Sequence, residues 1–172
     1  MAMSLPDAEA LLRRLGAPPR LLTHVRLVGE AGEAIIKTLR GLGVAFDPDL
    51  VRLGVVFHDA GKILHPEELD GGGAQHEPDG ERLLVGHGID AKVARCCVSH
   101  ARWAEMGVSL EELLVALADK LWKGARHAEL ERRVVEAVAA KLGRDFWDVF
   151  VALDTAFEDI AAGGAERLER SR

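Results

Sequence analysis

His58 and Asp59 stand side by side at the end of an apolar run, Leu53-Gly54-Val55-Val56-Phe57. Four further lone-pair donors flank them: His24 before, and His76, His100 and Asp119 after. An imidazole and a carboxylate leaving a hydrophobic helix together are costly to bury unless something gathers their lone pairs, and a metal ion does so. Taken singly, each residue reads as an ordinary polar member of a core. His24 shares a helical face with Val28, Ala31 and Ile35, His100 follows Val93, Cys96 and Cys97 at helical spacing, and Asp119 is embedded in Leu113-Leu114-Val115-Ala116-Leu117-Ala118. Taken together, four histidines and two aspartates on successive helices supply mixed nitrogen and oxygen ligation. That set suits one or two divalent first-row ions such as iron, manganese or zinc. Four ligands serve one ion and six serve two, with Asp59 the natural bridge because a carboxylate has two oxygens. The expected partition gives one ion His24, His58, Asp59 and Asp119, and the other Asp59, His76 and His100. Two ions about 3.5–4 Å apart share a water, lower its pKa and clamp the oxygens of a displacement.

Three stretches extend the pattern: F-H-D-A-G-K at 57–62, G-G-G-A-Q-H-E at 71–77 and A-L-A-D-K at 116–120. With them the series H…HD…H…H…D resembles the HD-domain superfamily of metal-dependent phosphohydrolases, from about His24 to Asp119. The resemblance implies a helical bundle that hydrolyses a phosphoester or phosphoanhydride bond by metal-activated water. The two extra histidines make it similar to the six-ligand, dinuclear branch, and small stand-alone members include bacterial dinucleoside polyphosphate hydrolases. The G-Y-P motif of cyclic dinucleotide phosphodiesterases is absent from the sequence.

A phosphate ester needs positive charge at its nonbridging oxygens. Lys62, three residues after Asp59, occupies the lysine position of the family's H-D-x-G-K pattern, and the resemblance implies a phosphate contact there. Asp59 and Lys62 are thus the expected catalytic pair. Arg102 lies two residues beyond His100, and Lys123 and Arg126 lie at i+4 and i+7 from Asp119, so all three are further substrate-binding candidates, although Gly124 interrupts the last pair. Each also reads as a solvated surface cation. His65 titrates in the range needed to protonate a leaving group, against the plainer reading of an exposed loop histidine. His87 reads as a helix-end residue and His127 as peripheral. The ligands alone do not separate phosphoester hydrolysis from a mixed-valence di-iron oxygenase, but Lys62 favours phosphate. A noncatalytic metal-stabilised ligand-sensing module ranks third, because six ligands exceed what a structural site requires. No G-x-S-x-G occurs, and Gly71-Gly72-Gly73 lacks the Gly-Lys-Ser/Thr of a phosphate loop.

The elements that must position these residues read as all-α, a single-domain bundle of about seven to eight helices. One domain spans 1–172, with a metal-binding core over 19–125, a C-terminal packing segment over 126–161 and a fraying tail over 162–172. A helix at about 6–15 stops at Gly16, and Pro18-Pro19 lead into one near 19–40 that carries His24. Asp47 caps and Pro48 begins the helix that delivers His58-Asp59 to a turn at Gly61. Residues 62–75 read as a flexible loop beside the site, ending where His76 meets a helix of about 77–87. Asp90 caps the helix of His100, and Ser109 with Glu112 forms a capping box for the helix of Asp119. Two amphipathic segments, about 126–142 and 144–161, present Val134, Val135, Val138, Leu142, Phe146, Trp147, Phe150 and Val151 as a core face or a homodimer face. The 172 residues, 48% of them hydrophobic, suffice to bury one core. A net charge of −6 and a pI near 5.6 disfavour a polynucleotide and favour a small phosphorylated substrate such as a nucleotide. No run of about 18 apolar residues spans a bilayer, and Met1-Ala2-Met3-Ser4-Leu5-Pro6 lacks a secretory pattern, so the cytoplasm is the expected compartment. Cys96 and Cys97 are adjacent and suit core packing rather than a disulfide between distant segments.

Overall fold

Helix boundaries follow the caps. In the computed structural model, which describes residues 3–172, Ser4 accepts a hydrogen bond from the Asp7 amide and opens α1 (Leu5–Arg14), which stops before Gly16 at φ +97°. Met1 and Ala2, which begin the stretch read for a secretory signal, lie outside the described residues. Pro19 begins α2 (Pro19–Gly41), and Asp47 accepts from the amides of Asp49 and Leu50 to open α3 (Pro48–Phe57). α4 (His76–Gly86) starts on His76 itself, and α5 (Ala91–Ala94) is capped by Asp90. After α6 (Cys96–Arg102), the Ser109–Glu112 capping box opens α7 (Leu110–Leu121), and α8 (Ala128–Leu142), α9 (Phe146–Ala162) and α10 (Gly164–Arg170) complete the chain. Among the described residues there are thus ten α-helical segments and no strand. Single residues, Arg95 and Gly163, separate α5 from α6 and α9 from α10, so the count is eight when those breaks are bridged.

α7 is the axis of the fold. Leu113 to Ala118 are all buried, and the helix packs against α2, α3, α6 and α8. The larger core cluster joins Ile35, Leu39 and Val55 to Leu114, Leu117 and Leu121, then continues outward through Val134, Val138, Leu153 and Phe157. A smaller cluster gathers Leu12, Leu21, Phe57, Leu84 and Val93 under α1. The site lies where α2, α3, α4, α6 and α7 converge, so each metal-ligand candidate leaves a packed helix. Cys96 and Cys97 are buried and free, and the Cys97 thiol donates to the Phe57 carbonyl at 3.2 Å.

Two segments differ from their sequence reading. Residues 62–75, read as a flexible loop, begin inside the 3-10 turn Ala60–Ile63 and hold a second turn at Pro66–Leu69 with a buried Glu68. The C-terminal tail folds as α10, because Arg167 donates to the Trp122 and Ile160 carbonyls while Arg170 pairs with Glu166 and Glu30.

The approach of α3 to α6 and α7 depends on Gly54, where a Cβ would sit 2.8 Å from Val115 Cγ2 and 2.9 Å from Cys96 Sγ. In an open helix, glycine to alanine gains about 1 kcal/mol of helix propensity. Overpacking a buried contact costs about 1–3 kcal/mol and outweighs it. Gly54→Ala is therefore expected to lower unfolding stability in urea by about 1 kcal/mol or more, and an increase would show that these helices are free to separate.

Candidate metal centre

α3 runs out at Phe57, His58 forms its C-cap, and the chain tightens into the 3-10 turn at Ala60–Ile63. In such a turn positions i and i+3 eclipse, which places Lys62 over Asp59 with Nζ 3.0 Å from Oδ2. Gly61 lets the backbone of α4 close on this turn. A Cβ at Gly61 would lie 1.9 Å from the His76 carbonyl oxygen, and one at Gly80 would lie 2.8 Å from the Gly61 nitrogen. That close approach sets His76 against Asp59. His24 comes from the first turns of α2, His100 from α6 and Asp119 from the last turn of α7.

Asp59 is the centre of the arrangement. Its Oδ2 faces Nε2 of His24 at 3.2 Å and of His58 at 3.5 Å, while its Oδ1 faces Nε2 of His76 and of His100, each at 3.5 Å. Asp119 Oδ1 lies 3.2 Å from His58 Nε2 and 3.6 Å from His24 Nε2. All six side chains predicted as ligands are therefore brought together, and the four imidazoles turn Nε2 inward. Behind them, Nδ1 of His58 contacts the Val55 carbonyl at 2.6 Å, Nδ1 of His100 the Cys96 carbonyl at 2.9 Å, and Nδ1 of His76 the Glu68 carboxylate at 2.7 Å. These acceptors assign a proton to each Nδ1, the arrangement that leaves Nε2 available to a metal. His24 Nε2 is buried without a satisfactory hydrogen bond, as expected of a lone pair that waits for an ion. Ligand atoms gather within 4.8 Å in three overlapping groups: His24, His58 and Asp59; Asp59, His76 and His100; and His58, His100 and Asp119. The donors fit a divalent transition-metal ion.

Burial opposes a charge on His58, but the carboxylates of Asp59 and Asp119 outweigh it and push its pKa up to about 9. Burial likewise opposes ionisation of Asp59, yet His58 and the other imidazoles hold it well below the usual carboxylate range. His100 is pushed down by burial and by the neighbouring His58 charge. Without an ion, His58 carries the proton that compensates the carboxylates.

The predicted cations fare differently. Lys62 stands at the ligand cluster, its side chain 20% exposed. Arg102 is engaged by the buried Glu77 at 2.7 Å. The helical extrapolation to Lys123 and Arg126 fails because α7 ends at Leu121 and the chain reverses at Gly124, φ +85°. Lys123 is exposed, and Arg126 ties the start of α8 to α9 through Glu131 at 2.5 Å and Asp154 at 2.6 Å. His65 is paired with Asp79, His87 contacts the Leu83 carbonyl from the end of α4, and His127 caps α8. Glu68, the carboxylate behind His76, escaped the sequence reading because it lies eight residues upstream in a segment without periodicity. The signal that would have found it is the need of every ligating imidazole for an acceptor on its far side.

An ion must displace the His58 proton, so affinity should rise with pH and weaken as pH falls. Calorimetric titration of the metal-free protein with manganese at pH 7, in two buffers of different ionisation enthalpy, should show proton release. Equal heats in both buffers would contradict this.

Known proteins share parts of this sequence. The chain is 26% identical over 158 residues to an uncharacterized protein of Methanocaldococcus jannaschii, covering 83% of this chain and 89% of that relative. It is 28% identical over 148 residues to a tRNA (cytidine(56)-2'-O)-methyltransferase of Thermoplasma volcanium, covering 76% of this chain but only 40% of that protein's length. No solved structure matches. The family model described as HD domain matches residues 21–122, the stretch that carries His24, His58, Asp59, His76, His100 and Asp119, and the chain belongs to the HD-domain family.

Proposed function

We propose that this chain hydrolyses a phosphoester or phosphoanhydride bond in a nucleotide or other small phosphorylated metabolite. The carrying observation is Lys62, a partly exposed ammonium 3.0 Å from Asp59 inside the ligand cluster. His24, His58, Asp59, His76, His100 and Asp119 would hold one or two divalent ions of the iron or manganese type, in the six-ligand manner. Such ions supply Lewis acidity toward phosphoryl oxygens and acidify water.

The protein's own residues do the rest. Asp59 presents one oxygen to each half of the cluster, and Glu68 holds the His76 ring in place. Lys62 meets a nonbridging phosphate oxygen and neutralises charge that develops there. Charge balance supports an anionic substrate. With the imidazoles neutral, Asp59, Asp119 and Glu68 are opposed by Lys62, so one divalent ion would neutralise the pocket and a second would leave it net positive within a chain of net charge −6. This local charge suits a small anion better than a polynucleotide, whose backbone would also meet the acidic surface. Among the described residues no helix is long and apolar enough to cross a membrane.

Phosphate release from a panel of nucleotides and simple phosphate esters, with manganese, cobalt or ferrous iron, is the direct test. Turnover without oxygen is expected, and its absence with every ester while metal stays bound would sink the hydrolase. Lys62→Gln should reduce kcat/KM by roughly 10²-fold without loss of metal. Asp59→Ala should abolish binding of at least one ion by elemental analysis; retention of both would refute the bridge.

We also propose that a second copy of this chain covers the outer face of α9. Trp147 is 73% and Val151 69% exposed, and Phe146 and Phe150 pack with Trp147 beneath them. Arg144, just before α9, and Glu158, within it, flank this apolar strip at its two ends, so an antiparallel second copy would bring that arginine and that glutamate together. Trp147→Glu is expected to convert a dimer into a monomer in sedimentation velocity. A wild type that is monomeric at every concentration would overturn the assignment.

A further inference from the structure

His65 is the one histidine near the site whose chemistry remains unassigned, and its surroundings are built rather than incidental. Asp59 and Lys62 share one face of the 3-10 turn, and the winding continues one step further, since the His65 amide still donates to the Gly61 carbonyl at 3.2 Å. His65 therefore leaves the turn that presents the lysine. Its ring lies beside Glu68, whose carboxylate holds His76, and ligand atoms of His65, Glu67 and Glu68 all fall within 4.8 Å of one another. On its other side, Nε2 contacts Asp79 Oδ2 of α4 at 2.6 Å, and Asp79 is itself paired with Arg82. Nδ1 faces the exposed Glu67 carboxylate at 3.4 Å, a longer contact than that of Nε2, and is the nitrogen that a substrate oxygen would take over.

We propose that His65, oriented by Asp79, is the general acid that protonates the leaving group. This rests on the phosphohydrolase reading and adds the fate of the departing oxygen. The oxygen of water bonds to phosphorus, the phosphorus–oxygen bond to the leaving group breaks, and the Nδ1 proton of His65 passes to the departing oxygen. His65 is left neutral, its Nε2–H donated to Asp79, and is reprotonated from solvent, while the proton lost by the attacking water also returns to solvent. The dyad suits the task. Asp79 fixes the ring and favours the imidazolium, as a carboxylate behind a catalytic imidazole does. Facing the ring are Glu67 and Glu68 from the second 3-10 turn and Asp79 from α4, with Arg82 tempering Asp79. The hydrogen bond to Asp79, working against partial burial and joined by the charges of Asp79 and Glu68, raises the His65 pKa above its ordinary value. The acid form is thereby kept populated near neutral pH. It also assigns a substrate class: esters whose leaving group is a poorly acidic alcohol, such as the sugar hydroxyl of a nucleoside phosphate, which cannot depart without a proton.

The test compares two esters on the metal-loaded protein. His65→Gln should lower kcat/KM for a nucleoside monophosphate by roughly 10²-fold or more, yet change it only a few-fold for 4-nitrophenyl phosphate, whose leaving anion needs no proton. Equal losses on both esters, or none on either, would overturn the role of His65 alone. A wild type that hydrolyses neither removes the reaction itself. A second measurement needs no turnover. In the metal-free protein, the His65 ring followed by NMR should titrate above the ordinary histidine midpoint, and Asp79→Asn should lower that midpoint. A midpoint indifferent to Asp79 would overturn the dyad, whatever the kinetics show.

Discussion

A single buried carboxylate organises this molecule. Asp59 is withdrawn from water, and its two oxygens are shared out among four imidazoles and an ammonium. An unpaired anion at that depth would cost several kcal/mol. The fold offsets this by aiming five helices at one point, and the rest of the architecture is the means of holding them there. α7 contributes most, since its apolar length anchors the bundle while its last turn supplies Asp119.

Around the carboxylate, backbone matters as much as side chains. Two of the ring anchors are main-chain carbonyls, Val55 and Cys96, each within a turn of the histidine it holds. Such contacts are local, so a helix that folds correctly orients its own ligand. Glu68 is the exception, a side chain brought from a neighbouring turn. Gly73 leaves the space it needs, because a Cβ there would lie 2.6 Å from the Glu68 side chain. A glycine-rich stretch that resembles slack also serves as clearance for a buried group.

What could be read from the sequence follows the range of the interactions. Asp47 with Pro48, and Ser109 with Glu112, act within one turn of chain, and the structure places those caps where residue type and spacing put them; Asp90 also caps, but the helix it opens stops at Ala94 and His100 lies on the next one. The six ligand candidates were legible because His24, His100 and Asp119 are polar residues on apolar helical faces, His58 and Asp59 end an apolar helix, and His76 follows a glycine-rich run at the start of one. The partners of the cations were not. Arg126 lies beyond a helix whose end depends on Gly124, and its acceptors Glu131 and Asp154 lie in helices further along the chain. Arg102 with Glu77, and His65 with Asp79, likewise depend on how separate segments dock, which residue types alone do not encode.

At Gly61 main chain rests on main chain, with no side chain between the turn that bears Asp59 and the helix that begins at His76. Rotamers therefore have little say in how closely these two backbones approach, which is governed by van der Waals radii and peptide geometry. The roots of Asp59 and His76 are held together by contact rather than by a tether, so any widening between them has to open a backbone packing contact.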